Sequence, residues 1–119
     1  MYHFNFVLLP EMTRKKRLLP SHILEAVCLE YQHVKDDVLG VSRKKSLSEA
    51  RKVAAYLIRC NSSMTLQEVA SYFNRKDHTT AIFWIAWARS QRENRWFERM
   101  IDMIYARLKQ MDATILLAW

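Results

Sequence analysis

The run Asn74-Arg75-Lys76-Asp77-His78-Thr79-Thr80 gathers the side chains of this chain best suited to chemistry. Aspartate and histidine accept or donate hydrogen bonds at base edges, threonine adds a hydroxyl and a methyl, and the preceding cations suit phosphates. The same Asp77–His78 neighbours contain the ingredients of an acid–base pair or a metal site. No third ligand lies at helical spacing and no glycine loop accompanies them, so base reading is preferred, with no catalytic residue and no metal ligand assigned.

Reading side chains must be held by a scaffold, and the flanking pattern supplies helices. Thr65 and Glu68 have capping-box spacing and open a short helix carrying Leu66, Val69, Ala70 and Phe73 inward. Asn74 tolerates the left-handed backbone that ends such a helix, and Asp77 suits the N-terminus of the next, expected to reach about Arg92. Upstream, Ser21 is expected to cap a helix with Ile23, Leu24, Val27, Cys28 and Tyr31 on one face. A helical turn from Asp36 to Leu39 ends at Gly40. Ser42-Arg43-Lys44-Lys45 reads as a basic loop, and Ser46 with Glu49 as a capping box for a helix to about Cys60. That helix turns Leu47, Ala50, Val53, Ala54, Leu57 and Ile58 inward. Downstream, Phe97, Met100, Ile101, Ile104, Tyr105 and Leu108 keep an amphipathic stripe. Tyr2 to Leu8 alternate like an imperfect strand, and Ile115 to Trp119 form an apolar tail.

One glycine and two prolines in 119 residues leave little material for hairpins. The expected fold is all-α, a helical domain of about six helices. Nineteen Lys plus Arg against twelve Asp plus Glu give a formal charge of +7, which favours a polyanionic partner. Between Ser42 and Lys76 stand Arg43, Lys44, Lys45, Arg51, Lys52, Arg59, Arg75 and Lys76 against only Glu49 and Glu68, so the excess surrounds the reading run. The Arg14 to Arg17 cluster reads as a DNA-binding arm, a membrane-surface tether or a solvated linker, with the arm ranked slightly above the linker. Cys28 and Cys60 sit at apolar helix positions without zinc spacing and read as buried free thiols. The apolar run Phe6 to Leu9 is too short for a signal peptide or a spanning helix, so a cytoplasmic, nucleoid-associated protein with no membrane partner is expected.

The order of these segments from Val27 to Ala88, about half of the chain, resembles the C-terminal DNA-binding domain of the bacterial replication initiator DnaA. Tyr31, Asp37-Val38-Leu39, the basic loop and Arg51-x-x-Ala54-x-x-Leu57 match the family's order. Phe73-Asn74-Arg75-Lys76-Asp77-His78-Thr79-Thr80-Ala81 matches its F-G-G-R-D-H-T-T-V signature. The resemblance implies a helix-turn-helix fold binding double-stranded DNA at an A·T-rich box, in replication initiation or its regulation. It implies base reading by Asp77, His78 and Thr79 in the major groove and by Arg43 in the minor groove. Thr80, Lys44, Lys45, Lys52, Arg59, Thr65, Arg75 and Lys76 would then hold phosphates, with help from backbone N–H groups at the starts of the two capped helices.

Three departures stand out. Asn74-Arg75 replaces the family's glycine pair, Glu49 lies where an arginine is common, and Ala81 to Ala88 is apolar all round. A helix apolar on every side is normally buried on every side. Residues 1–20, the Phe97–Leu108 helix, the tail or a second copy are therefore expected to cover Phe83, Trp84 and Trp87. A homodimer or protein partner docking through these three, in an adaptor or transcription regulator, is the alternative function. Stacking of single-stranded bases on the aromatics from Phe83 to Trp96 ranks below a core or interface role.

No G-x-x-x-x-G-K-[ST] loop occurs, so neither a nucleotide nor any other cofactor is expected. The expected organisation is an N-terminal extension over 1–20, the DNA-binding domain over 21–94, and a helix and tail over 95–119 packed on it. Met1 and the unmatched ends favour a small independent protein using the DNA-reading module alone.

Overall fold

The computed structural model of the chain describes residues 19–111, and in these it is built of helices without strands. The first, α1 (Pro20–Tyr31), starts one residue before the expected cap. Leu19 is the N-cap, without a side-chain bond, and Pro20 occupies the first turn, where its missing N–H costs nothing. Ser21 is therefore inside the helix and not its cap. Gln32 ends α1 in the left-handed conformation at φ 59°, its N–H bonded to the Cys28 carbonyl.

The helical turn α2 (Lys35–Leu39) buries Val38 and ends at Gly40. Gly40 is not left-handed; its φ is −81°, and a Cβ there would lie 3.2 Å from the Asp36 carbonyl oxygen. Close backbone approach therefore favours glycine at this position.

The long α3 (Lys45–Asn61) forms the centre of the fold, packed by α1, α2, α4 (Leu66–Tyr72) and α5 (His78–Ser90). Every residue expected on its inner face is buried. The expected capping box at its start is not formed, and Lys45 belongs to the helix and not to the loop. Ser46 Oγ instead lies 2.6 Å from His33 Nε2, and Glu49 Oε2 accepts the Tyr31 hydroxyl at 2.7 Å. Both partners come from the end of α1 and its exit, so tertiary neighbours have taken the groups that a local cap would use. Burial and the Glu49 bond together push the Tyr31 hydroxyl far above its usual pKa.

The last described helix, α6 (Arg95–Met111), is capped by Asn94 Oδ1, which accepts the Trp96 N–H at 2.9 Å. Its stripe of Phe97, Ile101, Ile104, Tyr105 and Leu108 is buried, mainly against α1. Arg107 Nε reaches Glu30 Oε1 at 2.7 Å across that seam. Both cysteines are free, Cys28 buried and Cys60 half-buried. The expectations for Tyr2 to Leu8, the Arg14 to Arg17 cluster and Ile115 to Trp119 lie outside the described residues. No described helix is long and apolar enough to cross a membrane.

Candidate nucleic-acid interface

The reading run begins where α4 stops. Thr65 Oγ1 accepts the Glu68 N–H at 3.1 Å while Glu68 Oε1 accepts the Thr65 N–H at 2.8 Å, so the expected capping box is complete. Asn74 has φ 61°, with its N–H bonded to the Ser71 carbonyl and the Arg75 N–H to that of Ala70. This pair of bonds is a Schellman closure with asparagine in the place usually taken by glycine. Phe73, fully buried, anchors the turn from below through an edge contact with Trp84 at 5.5 Å between ring centroids.

Asp77 then caps α5, as its sequence position suggests. Its Oδ1 accepts the Thr79 N–H at 2.9 Å and the Thr79 hydroxyl at 2.8 Å, and lies 3.4 Å from His78 Nδ1. The bond from the Thr79 N–H, followed by that from its hydroxyl, holds the carboxyl below the usual aspartate range although the side chain is exposed. A depressed folded-state pKa means that the cap stabilises α5 above the ordinary carboxylate range and is lost as pH falls through the lowered value. The expected result in an NMR titration is that the Thr79 amide shift follows Asp77 with a midpoint below that of a free aspartate. Asp77→Asn keeps a capping oxygen and removes the titration; a wild-type midpoint at the free value would contradict the cap.

Asp77, His78 and Thr79 are exposed and Thr80 is half-buried at the start of α5. Arg43 and Lys44 lie exposed on the loop before α3, and Lys45 is exposed on its first turn. This loop is held directly to the helix-turn-helix. Asn74 Nδ2 donates to the Leu39 carbonyl at 3.2 Å, and Arg75 Nη2 donates to that of Gly40 at 3.0 Å. Arg75 Nη1 donates to the Phe73 carbonyl at 2.7 Å, and its guanidinium lies over the Trp84 ring. From the other side Arg51, only 4% exposed, reaches the carbonyls of Val38, Ser42 and Asp37 at 2.7, 3.1 and 3.3 Å. Burial, then the charge of Arg75, lowers its pKa.

Two of the eight cations counted in the basic window are thus structural clamps. The register of α3 contained a signal for Arg51: it lies four residues after Leu47 and three before Ala54, on the inner face. No comparable signal marked Arg75, whose partners are 35 residues away in sequence at one end. The remaining cations lie outward to different degrees. Lys52 is half-buried with Nζ 4.9 Å over the Trp87 ring, Arg59 is tied by Nη1 to the Met64 carbonyl at 2.6 Å, and Lys76 is exposed.

The aromatic helix is covered in part. Trp84 is buried on Phe73, and Trp87 is half-buried with an edge contact to Phe97 of α6 at 5.8 Å. Trp84 therefore offers no docking surface. Phe83 is 68% exposed and Ile82 42%, so the expectation that the Phe97–Leu108 helix covers Phe83 is corrected, while cover by residues 1–18 or the tail lies outside the described residues. The helix bundle can surround only part of α5, and the stretch through Phe83 points away from it.

Residues 20–86 match the family described as the bacterial dnaA protein helix-turn-helix. The chromosomal replication initiator protein DnaA of Synechococcus sp. is 34% identical over 95 residues, 79% of this chain and 20% of that protein. The protein of the same name from Aquifex aeolicus is 39% identical over 83 residues, 69% of this chain and 21% of its own length. That of Nostoc punctiforme is 38% identical over 64 residues. The chain spans about a fifth of the length of the first two of these relatives.

Proposed function

Because the chain belongs to the bacterial DnaA helix-turn-helix family, we propose that it binds double-stranded DNA sequence-specifically, in replication initiation or its control. The observation that carries this reading is the clamp of Asn74, Arg75 and Arg51 on carbonyls of the Asp37–Ser42 segment. It joins the loop bearing Arg43 to the turn that aims Asp77, His78 and Thr79, so two readers are presented as one rigid unit. In this reading α5 enters the major groove and Arg43 the adjacent minor groove, where a narrow A·T-rich stretch attracts a guanidinium.

Positioning falls to Lys44, Lys45, Lys76, Arg59, Lys52 and the hydroxyls of Thr65 and Thr80. Thr65 Oγ1 accepts its capping bond, which leaves the hydroxyl proton to donate to a phosphate. Arg75 contributes charge from behind the turn while its fork holds the two carbonyls. Binding of labelled duplex across a series of salt concentrations tests the proposal. Log K should fall with log salt at about −0.9 per neutralised phosphate, and Lys45→Ala should reduce the slope by about one contact while weakening all duplexes alike. Salt-insensitive association would instead favour a protein-interaction module using α5.

A further inference from the structure

We infer that Phe83, supported by Ile82, selects thymine methyl groups in the major groove, so that the sequence choice of this chain has an apolar component beyond its polar readers. The inference rests on the major-groove placement of α5 proposed above. Phe83 follows Thr79 by four residues and Ile82 follows His78 by four, so each apolar side chain lies one turn along the face that carries the polar readers. All four are exposed, and the bundle covers the opposite face through Ala81, Trp84, Ile85 and Ala88. Four residues of helix rise about 6 Å, less than two base-pair steps, so side chains this far along the helix meet the base pairs next to those read by the first turn.

The major-groove edge presents donors, acceptors and one apolar group, the thymine C5-methyl. A phenyl ring and a sec-butyl group have no hydrogen bond to offer there, and contact with a methyl is what they can gain. Lys76, next to the Asp77 cap, and Arg43 to Lys45, on the segment following the Leu39 and Gly40 carbonyls that Asn74 and Arg75 hold, are exposed, which suits an apolar patch laid beside a polyanion. An exposed apolar patch on a basic face would be costly for a free surface and becomes useful once a duplex covers it.

The test compares two random-sequence duplex pools, one containing thymine and the other deoxyuridine, which lacks the methyl and keeps every hydrogen-bonding group. The tightest duplex selected from the thymine pool is then resynthesised with deoxyuridine. The unmodified protein should lose about fourfold in affinity for each contacted methyl removed. Phe83→Ala should bind the thymine duplex more weakly and respond less to the replacement, whereas Arg43→Ala should keep the full response. Phe83 is exposed, so the variant's helicity should equal that of the parent protein, which circular dichroism verifies.

Salt-dependent binding by the unmodified protein that ignores the methyl overturns this inference and leaves the DNA-binding proposal standing. Absence of duplex binding at every salt concentration overturns both. Sedimentation equilibrium without DNA covers the remaining occupant: a dimer dissolved by Phe83→Ala, with methyl preference unchanged, makes this face a contact between copies and overturns the inference.

Discussion

Replacing Arg51 by methionine lowers the free energy of unfolding by about 3 kcal/mol, a fall in Tm of about 15 °C for a domain of this size. Methionine replaces the aliphatic stem of arginine where it crosses the core but not the guanidinium, so the loss is of the hydrogen bonds and of the volume that the guanidinium fills. Three backbone carbonyls, those of Asp37, Val38 and Ser42, lose a charged donor. The Asp37 carbonyl keeps the Gly40 N–H, so the cost falls chiefly on the buried Val38 acceptor, at about 1 to 3 kcal/mol, with a smaller share from the half-buried Ser42, and release of a guanidinium from the core returns part of that sum. Arg51→Lys keeps the charge but can serve one or two of the carbonyls, so its loss should be intermediate. The damage should extend to recognition, because the Arg43 loop would lose one of its two anchors. Urea unfolding at neutral pH measures the first effect and duplex affinity the second. A methionine variant within about 0.5 kcal/mol of the parent protein would show that the clamp is dispensable.

The second large effect concerns base choice. His78→Ala should reduce discrimination between the preferred duplex and single-base variants by about 1 to 3 kcal/mol at one position. Asp77 Oδ1 faces the Nδ1 edge of the ring, which leaves the Nε2 edge for a base. Thr79 separates two contributions that one substitution would confuse. Thr79→Ser keeps the hydroxyl that donates to Asp77 and removes the methyl; Thr79→Val does the reverse. Loss of discrimination in the serine variant alone would assign the reading to the methyl, while loss in the valine variant would assign it to the hydroxyl or to the cap it completes. Lys45→Ala is the control, since a phosphate contact weakens every sequence similarly. If His78→Ala and Lys45→Ala give the same profile across sequences, the division between readers and grips is wrong.

Much of the scaffold was legible because it is encoded by local rules. The capping box at Thr65 and Glu68, the asparagine closure at Asn74 and the cap at Asp77 each involve residues within five positions of one another. The apolar stripe of α6 and the inner face of α3 follow from helical period alone. The capping box expected at Ser46 and Glu49 had the same local form and failed. Its two side chains meet His33 and Tyr31, which lie 13 and 18 residues away. Identical motifs thus have different outcomes where a distant partner competes for their hydrogen bonds.

By itself the sequence determined the all-α architecture, the capped turn and the exposed Asp77-His78-Thr79 run, because caps, helical period and left-handed closure are short-range properties of the chain. Beyond the hint that helical register held for Arg51, tertiary structure decided which charges face outward and which are internal. Arg51 and Arg75 have the same composition as their basic neighbours, and they became clamps because the fold brings carbonyls of the Asp37–Ser42 segment and of Phe73 within their reach. The same long-range packing divided the Ala81–Ala88 stretch of α5, apolar on every side, into a covered face on Phe73 and Phe97 and an exposed one at Phe83. Hydropathy records that a side chain avoids water, whereas the number of neighbours available to cover it depends on how the other helices are placed.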